Sequence, residues 1–229
     1  MPWWEPSALA QALAGEWGAE GLVLLQGDGS DLGRRAVLGV DPVETVCCRG
    51  LPPEAGAEDP FQALRAMGQR GGPWLGWLAY EAGAWVEPSV PWRRPDMALL
   101  WAARHDPLIH FDLMEQRCWL EGQDPGRLQR LARRIEALPA AGPETPPCPP
   151  SPPIPEPAWR WHTSPECYAS QVGEILGWIS AGDIFQANLT ACCEHQGVAA
   201  ADPLGLWWRL RRSCPAPFAG LAIGNGAAL

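Results

Sequence analysis

The chain has 229 residues and a net charge of −9, enough length for one large or two small domains with a sizeable core. All 17 basic residues are arginine, which excludes Schiff-base, lysine-nucleophile and P-loop mechanisms, and the acidic balance argues against a nucleic-acid surface. The 25 glycines and 26 prolines predict frequent turns, and no stretch approaches the roughly 18 apolar residues of a membrane span.

In chain order, Pro6 to Trp17 predicts a short alanine-rich helix with Leu9 and Leu13 one turn apart. Residues 21–26 read as an apolar strand, 34–40 as its return strand and 44–48 as a third. The loop from Gly27 to Gly33 is dense in turn formers. It makes a poor phosphate cradle, having no lysine and no clear helix after it. Asp59-Pro60, Asp124-Pro125 and Asp202-Pro203 each place a capping aspartate before a proline suited to the first helical position, starting helices at 60–69, 125–138 and 203–212. Between the first two lie strands at 74–80, 97–103, 107–113 and 117–121, the last two joined through Glu115-Gln116. Strands grouped together with helices at the flanks predict an α+β fold with antiparallel sheets.

Ten of the 19 residues from 139 to 157 are proline, which predicts an extended linker over 139–158 between a domain at 1–138 and a second at 159–229. A proline-rich recognition ligand is the alternative reading. The eight cysteines (47, 48, 118, 148, 167, 192, 193 and 214) form no C-x-x-C pair, and the four histidines are too scattered for zinc. Buried free thiols are expected. The N-terminus has no basic region ahead of an apolar run, so a cytoplasmic protein is expected.

The most informative stretch is 164–190. Ser164 caps a helix, Pro165 and Glu166 suit its first turn, and Tyr168, Val172, Ile175, Leu176 and Ile179 recur on one face. Gly182 stops it. From Asp183 the period changes to two, which predicts a strand carrying the carboxamides of Gln186 and Asn188 on one face. On these residues alone, two polar side chains facing water explain the pattern. Farther on, 217–223 reads as a strand entering the hairpin turn Gly224-Asn-Gly226, with only three residues after it.

Gly182-Asp-Ile-Phe-Gln-Ala-Asn-Leu189 and the helix before it resemble the chorismate-utilising enzymes, which include anthranilate synthase component I and aminodeoxychorismate synthase component I. Three other places match in order: Leu24-Leu-Gln-Gly27 with Gly33-Arg-Arg-Ala-Val-Leu-Gly39; Trp74-Leu-Gly-Trp-Leu-Ala-Tyr-Glu81; and Ser213-Cys-Pro-Ala-Pro-Phe218. The resemblance covers nearly the whole chain but only the first half of a family member, so an incomplete fold is expected, with an exposed apolar edge after Ile223.

The resemblance implies chorismate as substrate, magnesium as cofactor and a glutamine amidotransferase subunit as partner. The family's magnesium-binding glutamates lie beyond Leu229, so no catalytic residue and no metal ligand is nominated, and this chain alone is expected to be inactive. Gln186 and Asn188 are the candidates for the substrate cleft. An effector segment is implied at Gln26, Gly27, Arg34 and Arg35, closed by Pro215, Ala216, Pro217 and Phe218. Two positions depart from the family: Gly27 stands where a tryptophan-binding serine is usual, and Ala36 where a serine often follows the arginines. Weak or no tryptophan binding is therefore expected. Asn188-Leu-Thr190 favours the aminodeoxychorismate branch over anthranilate synthase. A non-catalytic remnant or binding lobe is the reading from a different class.

Overall fold

The computed structural model describes residues 1–139, 159–195 and 202–229. The linker expected at 139–158 therefore lies outside the described residues, apart from Pro139. In chain order the elements are α1 (Pro6–Trp17), β1 (Val23–Gln26), β2 (Arg35–Gly39), β3 (Glu44–Cys48), α2 (Pro60–Arg70) and β4 (Trp74–Leu78). A 3-10 turn at Tyr80–Trp85 is followed by β5 (Leu100–Arg104), β6 (Leu108–Asp112), β7 (Arg117–Glu121) and α3 (Pro125–Ala137). Then come β8 (Arg160–Trp161), α4 (Pro165–Ala181), β9 (Cys193–Glu194), α5 (Pro203–Ser213), β10 (Ala219–Gly224) and β11 (Ala227–Ala228). The class is α+β with antiparallel sheets.

Two compact units result: Met1–Pro149 with Pro203–Leu229, and Pro150–Asp202. This differs from the boundary expected from the sequence, which assigned 159–229 to one domain. Residues 203–229 return to the first unit because β10 hydrogen-bonds to β1 in register, from Val23↔Ala222 to Gln26↔Ala219.

In the first unit a six-stranded sheet runs β11-β10-β1-β2-β6-β7. Side chains alternate across it, so Leu24, Leu38, Ile109, Phe111, Leu221 and Ile223 share one face. Leu9 and Leu13 of α1, Leu131 and Ile135 of α3, and Leu204 and Trp207 of α5 cover that face. Asp59 and Asp124 cap their helices as expected, each side-chain oxygen accepting two backbone N–H bonds. A three-stranded sheet, β3-β5-β4, lies over one end of the opposite face, where Trp101 and Ala103 meet Val23 and Ala222. Gly224 is needed there: a Cβ on it would come within 2.1 Å of the Trp101 ring. Trp101 itself stacks on Trp77 at 4.9 Å. On its outer face this sheet holds α2 through Met67, Leu100 and Ala102.

The edge expected after Ile223 falls on the two-residue β11, the outermost strand of the sheet on that side. Strand β10 lies between β1 and β11, and Asn225 and Gly226, both at positive φ, close the hairpin that pairs Ile223 with Ala228. In the second unit β8 pairs with β9, and α4 runs from its Ser164 cap to Gly182 in the left-handed region, as expected. The strand expected at 184–189 is absent. Among the described residues no segment pairs with it, and a strand without a ladder partner has no hydrogen bonds to hold it extended.

The described cysteines are free, as expected, but only Cys48 and Cys118 are buried; Cys167, Cys192 and Cys214 are exposed. Burial pushes the Cys48 thiol up to about 11, which leaves it protonated and unreactive at neutral pH.

One buried polar network joins α1, β1 and α5. The Gln26 side chain, in a residue only 6% exposed, accepts from Ser7 Oγ at 2.9 Å and donates to Glu5 Oε1 at 3.0 Å. Trp207 Nε1 donates to Ser7 Oγ at 3.2 Å, and Glu5 Oε2 caps α1 by accepting from the Ala8 N–H. Replacing Gln26 by leucine keeps the volume but leaves Ser7 and Glu5 short of partners, so a loss of about 1–3 kcal/mol is expected in urea unfolding. A Gln26→Leu protein as stable as wild type would show the network to be dispensable.

Candidate functional site

The second sheet covers only part of the exposed face of the six-stranded sheet. What remains open is a cavity of about 420 Å³. Its floor is Leu25 of β1, Val37 of β2 and Gly220 of β10, which are neighbours across the ladder. Its walls are the 27–33 loop on one side and Pro217 with Phe218 on the other. Leu25 and Phe218 are 43% and 75% exposed, so the cavity is open to solvent.

The structure brings together five of the eight expected effector residues around this space, through side chain or backbone: Gln26, Gly27, Arg35, Pro217 and Phe218. The Gln26 side chain, however, is committed to the helical layer behind the sheet. The strand period explains this, since Gln26 shares its face with Leu24 rather than with Leu25. Arg34 lies outside the lining. Its Nε donates to both carboxylate oxygens of Asp112, at 2.9 and 2.8 Å, and its Nη2 lies 2.6 Å from Oδ2. Pro215 and Ala216 are also outside it.

Arg211 of α5 was not singled out from the sequence, yet it holds the two walls. It donates through Nη2 to the Gly27 carbonyl and through Nη1 to the Ala216 carbonyl at 3.2 Å. In the sequence it is one of three arginines near a helix end, and nothing local distinguishes it. The lining residues Leu25, Leu32 and Val37 were likewise missed, because their shared face is set by strand register across the sheet.

Gly27 has a steric explanation beyond its lack of a hydroxyl. A Cβ at this position would stand 1.9 Å from the Gly33 carbonyl oxygen, with backbone that cannot yield cheaply. A side chain at 27 requires the loop to open.

Gln186 and Asn188 are both exposed in the second unit, in the irregular segment after Gly182. This segment is tied to α4 by the Asp183 N–H, which donates to the Trp178 carbonyl at 3.0 Å, and by Tyr168 Oη, which donates to the Leu189 carbonyl at 3.5 Å. The shared strand face expected for the two carboxamides is not formed. Among the described residues no group of three or more His, Cys, Asp or Glu side chains could hold a metal ion. Among them, too, no helix is long and apolar enough to cross a membrane.

The sequence profile of the chorismate binding enzyme family matches residues 38–228. The chain belongs to that family. The match runs from the end of β2 to β11, and so includes both the second unit and the strand that brings Gly220 to the cavity floor. An anthranilate synthase component I-like protein from Synechocystis is 28% identical over 155 residues, which cover 65% of this chain. Those residues span 30% of the relative's length.

Two outcomes are expected. The Arg34 fork holds the Asp112 carboxyl down at about 2, from an ordinary 3.8. A carboxylate lowered in this way contributes stability above about pH 4 that is lost as the pH falls towards 2. Melting curves should show that loss, and Asp112→Asn should lower Tm at neutral pH while flattening the acid limb; an unchanged acid limb would detach the pair from stability. Gly27→Ser should cost about 1–3 kcal/mol by overpacking and should not create tryptophan affinity. Submicromolar tryptophan binding by calorimetry, in either protein, would show that a ligand group is present which this loop lacks.

Proposed function

We propose that the chain forms part of an aminodeoxychorismate synthase component I, the chorismate-aminating branch of its family. The observation that carries this reading is the closure of the 27–33 loop on itself at Gly27. The position where a tryptophan-binding serine is usual has no room for a side chain, which argues against an enzyme regulated by tryptophan. The Gln186-Ala-Asn188-Leu-Thr190 segment supports the same branch by resemblance. On this reading chorismate is aminated towards 4-amino-4-deoxychorismate, with ammonia from a glutamine amidotransferase subunit, in the cytoplasm. Gln186 and Asn188 would contribute carboxamide donors and acceptors to the substrate. Magnesium is the family's cofactor and has no assigned ligand here, so no step is routed through it.

The likeness to the Synechocystis anthranilate synthase component I-like protein favours a second reading, anthranilate synthase component I, with the same substrate and a different product. The test is to purify the protein from its native source and supply chorismate, magnesium and ammonium. Aminodeoxychorismate as the product supports the first reading, and anthranilate replaces it with the second. No turnover by folded protein would support a non-catalytic binding lobe instead.

A further inference from the structure

We infer that β4 is an interaction edge at which two copies of this chain pair antiparallel about a two-fold axis at Gly76. The inference is independent of the amination reading, because it uses only the outer edge of the three-stranded sheet. The strand order there is β3-β5-β4, so β4 has one bonded neighbour and one open side among the described residues. An edge strand presents a row of unpaired N–H and C=O groups, and proteins usually blunt such an edge with charge, proline or a cover. The other edges of the first unit are blunted. Strand β7 carries Arg117 and Glu121, β3 carries Glu44 and has α2 packed against it, and β11 has two residues. Strand β4, Trp74-Leu-Gly-Trp-Leu78, has neither charge nor proline.

The backbone of β4 suits a second copy of itself. The Ala79 N–H donates to the Leu99 carbonyl at 2.7 Å, and the ladder sets Leu78 opposite Leu100. By strand alternation Leu75 and Trp77 also bond to β5, while Trp74, Gly76 and Leu78 turn their N–H and C=O groups outwards. Antiparallel pairing about Gly76 sets Gly76 opposite its own copy and Trp74 opposite Leu78 of the other copy. Every outward residue then meets an outward residue, so both strands exchange bonds along their whole length.

Side chains and charges agree with this register. Gly76 is exposed, Leu78 is 46% exposed, and the apolar surface continues to Tyr80, which lies against Trp92. Trp74 beside Leu78 of the other copy makes an aromatic–aliphatic cross-strand pair, and two glycines on the axis leave no side chains to collide. At the start of β4, Arg70 and Arg104 share the one carboxylate of Glu44, which leaves that end positive. Past its other end, Glu81 has no ion-pair partner among the described residues. Antiparallel pairing brings each end towards its opposite. A self-complementary contact of this kind closes at two copies.

The test is sedimentation of the full chain combined with hydrogen exchange. A species of twice 24.8 kDa is expected at about 100 µM chain, dissociating on dilution. The amides of Trp74, Gly76 and Leu78 should exchange more slowly as the concentration rises. Leu78→Lys sets a cation against Arg70 and Arg104 of the other copy and should weaken the dimer at least about tenfold, and Leu78→Glu should weaken it less. A wild-type chain that stays monomeric would overturn the inference. A dimer whose three outward amides gain no protection would place the interface elsewhere, and protection that is independent of concentration would mean that the chain's own residues cover the edge. A dimer that tolerates Leu78→Lys better than Leu78→Glu would overturn the antiparallel register.

Discussion

The pairing of β10 with β1 is the constraint on which the first unit depends. It joins residues near 23 to residues near 220, and it puts Leu221 and Ile223 into the core that α1, α3 and α5 cover. Closing so long a loop costs only slowly more than closing a short one, so a few buried strand residues suffice to hold it. Once β10 is in place, the 27–33 loop and the 215–218 segment face each other, and the cavity between them is a consequence. The Glu5–Gln26–Ser7–Trp207 network fixes the same junction from the other side of the sheet. Its members are satisfied by one another, which is what makes burial of so many polar atoms tolerable.

The absence of lysine shapes how this molecule uses charge. A guanidinium is planar and forked, so one residue can reach two acceptors at once. Arg211 bridges carbonyls of two loops, and Arg34 grips both oxygens of Asp112. An ammonium group has three donors but lacks the fixed planar fork that sets this geometry.

The second unit shows a different balance. Ser164 caps α4 through the Cys167 N–H and Gly182 terminates it, yet no residue of the helix is buried. Leu176, Trp178 and Ile179 are all substantially exposed, as is Phe185 beyond it. Local signals were enough to form this helix. They were not enough to form the strand after it, because a strand draws its hydrogen bonds from another segment.

That difference separates what was legible in the sequence from what was not. Helix positions followed from single residues: Asp59-Pro60, Asp124-Pro125, Ser164 and Gly182 act within a turn of themselves. Strands of the first unit were legible as short apolar runs between turn formers, and the Asn225-Gly226 turn because positive φ restricts which residues fit. The sequence also supplied the family through the motif at 182–189. Tertiary structure alone decided which strand pairs with which. It therefore decided that 203–229 belongs with the first unit, that Gln26 turns away from the cavity while Arg35 remains on its face, and that Arg211 joins the walls. The physical reason is that register and long-range hydrogen bonds depend on two segments at once, and no single stretch of sequence carries both.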